Sequence, residues 1–258
     1  MRTDSRQPDA VLLVGGKGAR LQSIVTDRPK PMALVAGKPF VEWVLLALRA
    51  QGVRRIIFCT GYMSEVIEAH FRDGKQWDME ILYSRDPFPL GTAGAVRKSL
   101  GLVRSDRFLA INGDSYCRLD VNQLVGAHTS HGALVTLWLR WVNDCRGYGL
   151  VTIAEDGVVR EFQEKPLEKR PGLINAGIYL LDRKAAEGIP EGRAVSIETE
   201  FFPMLIGHGL YAVVGHAPFI DVGTPEGFEA AKQFFAAKHD DHASMPQSAQ
   251  SPRHDRQS

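Results

Sequence analysis

Short apolar runs alternate along this chain with stretches whose apolar residues recur at helical spacing. Residues 10–14 (AVLLV) form a run that stops at two glycines, the pattern of a buried strand. Phe40, Val41, Val44, Leu45 and Leu48 then repeat every three to four positions, which predicts a helix ending near Gly52. A second strand is expected over 54–60 (RRIIFCT), a second helix around Val66, Ile67, His70 and Phe71, and a third strand near 80–83. A glycine-rich loop leads into a helix over about 92–102, and residues 108–111 form the next strand, closing on Asn112-Gly113-Asp114. This β-α-β-α rhythm predicts an α/β fold, a mostly parallel Rossmann-like sheet flanked by helices.

The second half is richer in strands, expected at 134–141, 149–153, 158–164 and 174–181, with polar turns such as Glu155-Asp156-Gly157 between them. A helix is expected over 197–206. A last one opens at Thr224-Pro225-Glu226, with a capping threonine, proline at the first helical position and an acid in the first turn. Residues 1–9 are polar and expected to be loose, 10–238 form a single domain without repeats or linkers, and 239–258 have the composition of a disordered polar tail.

Composition adds exclusions. The 258 residues are 44% hydrophobic and 24% charged, with a formal net charge of +1, so no electrostatic footprint for nucleic acid or a membrane surface is present. No apolar run reaches the roughly 18–20 residues that span a bilayer, and the N-terminus carries no secretory apolar segment. Three widely spaced cysteines, Cys59, Cys117 and Cys145, fit small buried side chains in a reducing cytoplasm better than a disulfide framework. Trp138 and Trp141 are expected to pack within a strand region, and His128 and His131 lack metal-ligand spacing.

The chemistry should sit where the first strand ends. Gly15-Gly16-Lys17-Gly18 leaves backbone N–H groups free to approach phosphates, and the following Arg20 can grip phosphate oxygens with two donors. The loop is neither a Walker A motif, which needs GK[ST], nor a dinucleotide fingerprint, because Leu21 stands where the third glycine belongs. Lys30 lies between Pro29 and Pro31, which limit the backbone freedom lost when its ammonium is positioned. Asp114 and Asp221 each close a short apolar run. Two such carboxylates beside a phosphate grip suit Mg²⁺, which takes one or two carboxylates plus substrate phosphates.

The ordered set GGKGARL (15–21), PKPM (29–32), GKPF (37–40), PLGTAG (89–94), NGD (112–114), EKP (164–166), NAGIY (175–179) and DVGTPE (221–226) resembles the sugar-1-phosphate nucleotidylyltransferases. Within them it is most similar to the D-glycero-α-D-manno-heptose 1-phosphate guanylyltransferases. The resemblance implies that Leu13, Gly15, Gly16, Gly18, Gly91 and Thr92 bind the nucleotide, and that Arg20, Lys30, Asp114 and Asp221 are catalytic. Asp114 and Asp221 would share Mg²⁺. Gly149, Glu164, Asn175 and Gly177 would contact sugar hydroxyls, and Lys165 the sugar phosphate. The strand-rich second half would be the sugar-binding part. Ala19 departs from the family's usual threonine. The implied reaction joins a nucleoside triphosphate, GTP in this subfamily, to a sugar 1-phosphate and releases pyrophosphate. Its product would be GDP-heptose for a surface polysaccharide, and a homodimer is compatible with the family.

Other substrate pairs stay open: mannose 1-phosphate with GTP, glucose 1-phosphate with dTTP, or N-acetylmuramate 1-phosphate with UTP. A catalytically silent nucleotide-sugar sensor is an alternative of another class, and the complete set Arg20, Lys30, Asp114 and Asp221 weighs against it. No Ser-His-Asp or Cys-His arrangement competes for the chemistry.

Overall fold

The computed structural model describes residues 7–18 and 25–243. In chain order β1 (Asp9–Leu13) is followed by a 3-10 turn at Lys30–Met32, β2 (Leu34–Val35), β3 (Lys38–Pro39) and α1 (Phe40–Ala50). Then come β4 (Arg55–Thr60), α2 (Ser64–Phe71), β5 (Glu80–Arg85), α3 (Gly91–Ser99), β6 (Arg107–Asn112) and β7 (Ser115–Cys117). Next are α4 (Val121–His131), β8 (Val135–Val142), β9 (Gly149–Ile153), β10 (Val159–Glu164) and β11 (Gly172–Asp182). The last are α5 (Arg183–Glu187), a π-turn at Ile197–Phe201 running into α6 (Phe202–Leu205), β12 (Leu210–Gly215), β13 (Phe219–Asp221) and α7 (Pro225–Ala243).

Among the described residues the main sheet has nine strands. Its first half, in spatial order β5-β4-β1-β6, is wholly parallel. β11 runs antiparallel beside β6, β8 antiparallel beside β11, and β12 parallel to β8. The β9–β10 hairpin joins the first part of β11, and β7 pairs with β13 apart from the main sheet. Strand order reverses on either side of β1, because β4 and β5 lie to one side and β6 to the other. Such a reversal opens a crevice at the carboxyl ends of the two strands that flank it.

Alternation along the central strands feeds two cores. Ala10, Leu12, Ile56, Phe58, Leu109 and Ile111 face α1, α2 and α7, whereas Val11, Ile57, Cys59, Phe108 and Ala110 face α3 and the 197–205 segment. Both faces are covered, so these strands read as continuous apolar runs rather than alternating ones. Thr224 Oγ1 accepts from the Gly227 amide at 3.1 Å and caps α7 as its sequence predicts. α7 is anchored by Phe235, which stacks on Trp43 (centroids 4.6 Å apart) and meets Tyr116 and Phe40 edge-on. The three cysteines are free and buried. No helix among the described residues is long and apolar enough to cross a membrane.

Several expectations are corrected. Asp9 is not loose: it opens β1, is buried, and accepts the amides of Arg104 (2.6 Å) and Ser105 (3.3 Å). The stretch expected as tail from residue 239 continues α7 to Ala243; residues 244–258 lie outside the described residues. Trp138 is buried, but Trp141 is 53% exposed, because residues three apart on a strand point to opposite faces. The helix expected over 197–206 begins as a π-turn, capped by Ser196 Oγ accepting from the amides of Glu198 and Thr199.

Phe235→Ala removes the side chain that joins α7 to α1 and β7. It is expected to lower the free energy of unfolding by ~3–5 kcal/mol, read from urea titration; a loss below ~1 kcal/mol would show that α7 is not part of the core.

Candidate active site

β1 and β6 end together: the Gly113 amide bonds to Leu13 O at 3.0 Å, and on the other side the Val14 amide bonds to Cys59 O at 3.1 Å. Beyond these bonds lies a cleft of about 330 Å³. Of the residues expected to bind the nucleotide, Leu13, Gly15, Gly16, Gly18, Gly91 and Thr92 all line it, with Lys30 and Asp114. Arg20 and Ala19 lie outside the described residues.

The Lys30 side chain is buried at the cleft. Its ammonium meets Asp114 Oδ2 at 2.6 Å, joining the turn after β1 to the end of β6. The turn holds it by two backbone bonds, Met32 N–H to Pro29 O (2.8 Å) and Ala33 N–H to Lys30 O (3.0 Å). Gly18 has φ +63, and a Cβ there would stand 2.6 Å from Lys30 Cβ, so the glycine lets the loop close over the lysine stem. Removing either member of a partly buried ion pair strands the other charge, which costs far more than the intact pair contributes.

Asp221 arrives from the far end of the chain. β13 pairs with β7 so that Asp221 stands opposite Ser115, and the Val222 amide bonds to Asp114 O at 3.0 Å. Asp221 Oδ1 accepts the Gly223 amide at 2.6 Å, which fixes the carboxylate's orientation. The structure thus brings Asp114, in the turn just before β7, next to Asp221 at the end of β13. No group of three or more His, Cys, Asp or Glu suited to a metal occurs among the described residues. Two carboxylates beside an open cleft fit a hard ion that would complete its shell with water and ligand oxygens, not a closed thiolate or imidazole site.

At the other end of the cleft, Gly91 (φ +69) starts α3. A Cβ on it would come 2.5 Å from Val195 O, so the α3 start and the 195–198 segment are locked together. Thr92 serves that lock. Its hydroxyl donates to Glu198 Oε2 (3.0 Å) and accepts from the Ile197 amide (2.7 Å). Glu198 in turn accepts from the Tyr179 hydroxyl at 3.4 Å, and Tyr179 accepts from the Asn175 amide nitrogen at 2.8 Å. Burial and the nearby Glu198 charge raise the Tyr179 phenol well above its ordinary value, so it stays neutral.

Asn175 and Gly177 lie in the stretch of β11 where its pairing with β8 is interrupted, Asn175 Oδ1 accepting the Gly177 amide at 3.0 Å. Gly177 lies against the side chain of Asn112, a cleft residue. Gly149 and Glu164 are cross-strand partners in the β9–β10 hairpin, and Lys165 folds back on Glu164 at 2.6 Å. Tyr148, just before β9, packs edge-on against Phe219 of β13, which places the hairpin's start next to the strand carrying Asp221.

Asp86 and Glu198 also bear on the cleft, and no motif in the sequence marks them. Asp86 lines it directly, and its carboxyl is pushed up from 3.8 to about 6 by desolvation, with Lys98 pulling the other way. An isolated acid just after a strand carries no local signal of burial.

Comparison with known proteins agrees with this geometry. The family model described as "Nucleotidyl transferase" matches residues 9–238. A mannose-1-phosphate guanylyltransferase of Mycobacterium tuberculosis is 40% identical over 87% of this chain, and the chain spans 63% of its length. A D-glycero-alpha-D-manno-heptose 1-phosphate guanylyltransferase of Aneurinibacillus thermoaerophilus is 34% identical, over 87% of this chain and 97% of the relative. The crystal structure of HddC from Yersinia pseudotuberculosis complexed with GMP-PN superposes with a TM-score of 0.79 at 34% identity, covering 88% of this chain and 99% of that one.

Two outcomes test the site's construction. Gly91→Ala is expected to lower the melting temperature by several degrees, since its Cβ meets backbone and its φ is positive; an unchanged melting curve would show that the α3–Val195 contact yields freely. Asp86 has a folded pKa above its unfolded value. Its contribution is therefore most favourable below pH 3.8 and is lost as pH rises through about 6. The melting temperature of Asp86→Asn minus that of the parent should become more positive between about pH 4 and pH 7. A difference independent of pH would show that the carboxyl is not desolvated.

Proposed function

We propose that this chain, which belongs to the nucleotidyl transferase family, transfers GMP from GTP to a sugar 1-phosphate and releases pyrophosphate. The observation that carries the reading is the buried Lys30 ammonium on Asp114, placed where the glycine loop and the ends of β1 and β6 converge. An oxygen of the sugar phosphate attacks the α-phosphorus, the bond from that phosphorus to the β-phosphate oxygen breaks, and pyrophosphate leaves from the opposite side. A phosphate dianion is already a nucleophile, so no general base is required. Backbone N–H groups of Gly15, Gly16 and Gly18 receive phosphate oxygens, Arg20 adds a bidentate grip, and Lys30 neutralises charge at the α-phosphate. A Mg²⁺ ion held by Asp114 and Asp221 would supply charge neutralisation to the triphosphate and the leaving pyrophosphate.

The sugar is read as one of manno configuration. D-glycero-α-D-manno-heptose 1-phosphate is favoured because the heptose relative matches this chain along nearly its own whole length. Mannose 1-phosphate is the second reading, supported by the 40% identity to the mycobacterial enzyme; the two sugars share their ring and differ in the extension beyond it. Gly149, Glu164, Asn175 and Gly177 would face the hydroxyls and Lys165 the phosphate, with GDP-heptose serving as donor for a surface polysaccharide.

Pyrophosphate release with Mg²⁺, across GTP, ATP, UTP, CTP and dTTP against both sugar phosphates, tests this directly. GTP with the heptose phosphate is expected to be fastest; release with GTP and mannose 1-phosphate alone would move the assignment to the second reading. No release with any pair, from folded protein that binds nucleotide, would leave a nucleotide-sugar sensor. Lys30→Ala and Asp114→Ala are each expected to lower kcat by at least ~10²-fold, and near-normal turnover in both would overturn the assignment.

A further inference from the structure

We propose that Lys30 keeps a divalent cation off Asp114 until a triphosphate draws its ammonium away, so that cation and nucleotide bind as a coupled pair. This rests on the nucleotide and metal reading above and gives the lysine a task besides neutralising charge at the α-phosphate. Asp114 and Asp221, brought together by β13, would attract a hard divalent ion by themselves. The Lys30 ammonium already lies on Asp114 Oδ2 at 2.6 Å, and a second cation at that oxygen would meet its full repulsion. On Asp221, Oδ1 accepts the Gly223 amide at 2.6 Å. Each carboxylate thus has an oxygen engaged, and two acids with one ammonium leave a single net negative charge where two would otherwise stand. Ser115 Oγ, 3.5 Å from Asp114 Oδ1, is neutral and does not alter that balance.

The lysine is built to let go over a short distance only. Its side chain is 8% exposed, and Gly18 covers it: a Cβ on that glycine would lie 2.6 Å from Lys30 Cβ and 3.1 Å from Cδ. The stem is therefore held as far as Cδ, and the ammonium moves on the arc that its last bonds allow. Lys30, Asp114 and the glycine loop line one cleft, so that arc lies between the carboxylate and the place where phosphates would meet the loop amides. An α-phosphate oxygen offers the ammonium a charged acceptor equivalent to the one it leaves. Asp114 Oδ2 is then released to the cation that accompanies the triphosphate. By linkage, the cation strengthens nucleotide binding by the same factor as the nucleotide strengthens cation binding. A lysine that merely braced β6 against the turn after β1 would act the other way: its removal would loosen the carboxylates and weaken every ligand.

Mn²⁺ binding to the whole chain, read by electron paramagnetic resonance with no nucleotide present, separates the two. The parent is expected to bind Mn²⁺ weakly, and Lys30→Met at least ~10-fold more tightly. Lys30→Gln, which can still donate to Asp114 but carries no charge, serves where Lys30→Met fails to fold, and it should shift the same way. Adding Asp221→Asn to either variant should return Mn²⁺ affinity to the parental level, whereas ions held by acids or histidines elsewhere in the chain would survive it. Equal or weaker Mn²⁺ binding in the folded variants overturns the proposal. Calorimetric titration of the parent with GTP, without sugar phosphate, should give at least ~10-fold tighter binding in Mg²⁺ than in EDTA. A GTP affinity indifferent to Mg²⁺ overturns the coupling. Pyrophosphate release by the parent, with Mn²⁺ affinities unchanged across the variants, would sustain guanylyl transfer and remove this role for Lys30. The expected Mn²⁺ pattern in a parent that binds no nucleoside triphosphate overturns the nucleotide reading, and the coupling with it.

Discussion

The structure depends on one strand being fully satisfied along its length and abruptly unsatisfied at its end. From Ala10 to Leu13, β1 is paired in parallel on both edges and covered on both faces. Nothing polar can be admitted there, and the ladder closes with Gly113 on one side and Cys59 on the other. Neighbouring strands in a twisted sheet diverge past such a point, and the reversal of strand order leaves no helix to fill the gap. Every candidate nucleotide contact among the described residues is therefore inherited from where β1, β6 and the start of α3 stop. The helices and the β7–β13 pair position that boundary. α7 holds β7 through Phe235 and Tyr116, and β7 registers Asp221 against the end of β6.

Three carboxylates stand at the cleft or next to it, Asp86 and Asp114 in its lining and Asp221 beside Asp114, and each is accommodated differently. Asp114 is paired with the buried Lys30 ammonium at 2.6 Å. Asp221 is oriented by the Gly223 amide. Asp86 has no such donor at Oδ1, and desolvation pushes its carboxyl up to about 6. In the proposed reaction the first two would hold the cation, while Asp86 follows β5, three strands across the sheet from β6.

Much of this was legible in the sequence because period and punctuation carry it. The parallel half of the sheet followed from apolar runs bounded by glycine, and Lys30, Asp114 and Asp221 stood out because prolines or strand ends isolate them. β7 and β12 were not read. β7 is three residues long, and β12 is specified by its long-range pairing to β8 more than by its own residues. Asp9 looked like part of a polar terminus because its burial depends on amides nearly a hundred residues away. Asp86 and Glu198 were missed for the same reason: each is an ordinary acid locally and becomes informative only through tertiary neighbours.

The bonds around Glu198 bear on how a reaction without a general base could be fast. Such catalysis rests on holding two anions in line, so the frame that presents one substrate must be rigid with respect to the frame that presents the other. Thr92 lines the cleft and Asn175 lies in the interrupted stretch of β11, and the two are joined through Glu198 and the buried Tyr179 hydroxyl. Asn175 also fixes the Gly177 amide, and Gly177 packs on Asn112 at the end of β6. The circuit closes from the start of α3, through the second half of the chain, and back to the end of β6 at Asn112, two residues before Asp114. Tyr179 kept neutral by burial is the suitable centre for it, because a phenol can donate to a carboxylate and accept from an amide at once. Two substrates bound on opposite sides of this circuit would meet in a geometry set by covalent chain and buried hydrogen bonds rather than by surface loops.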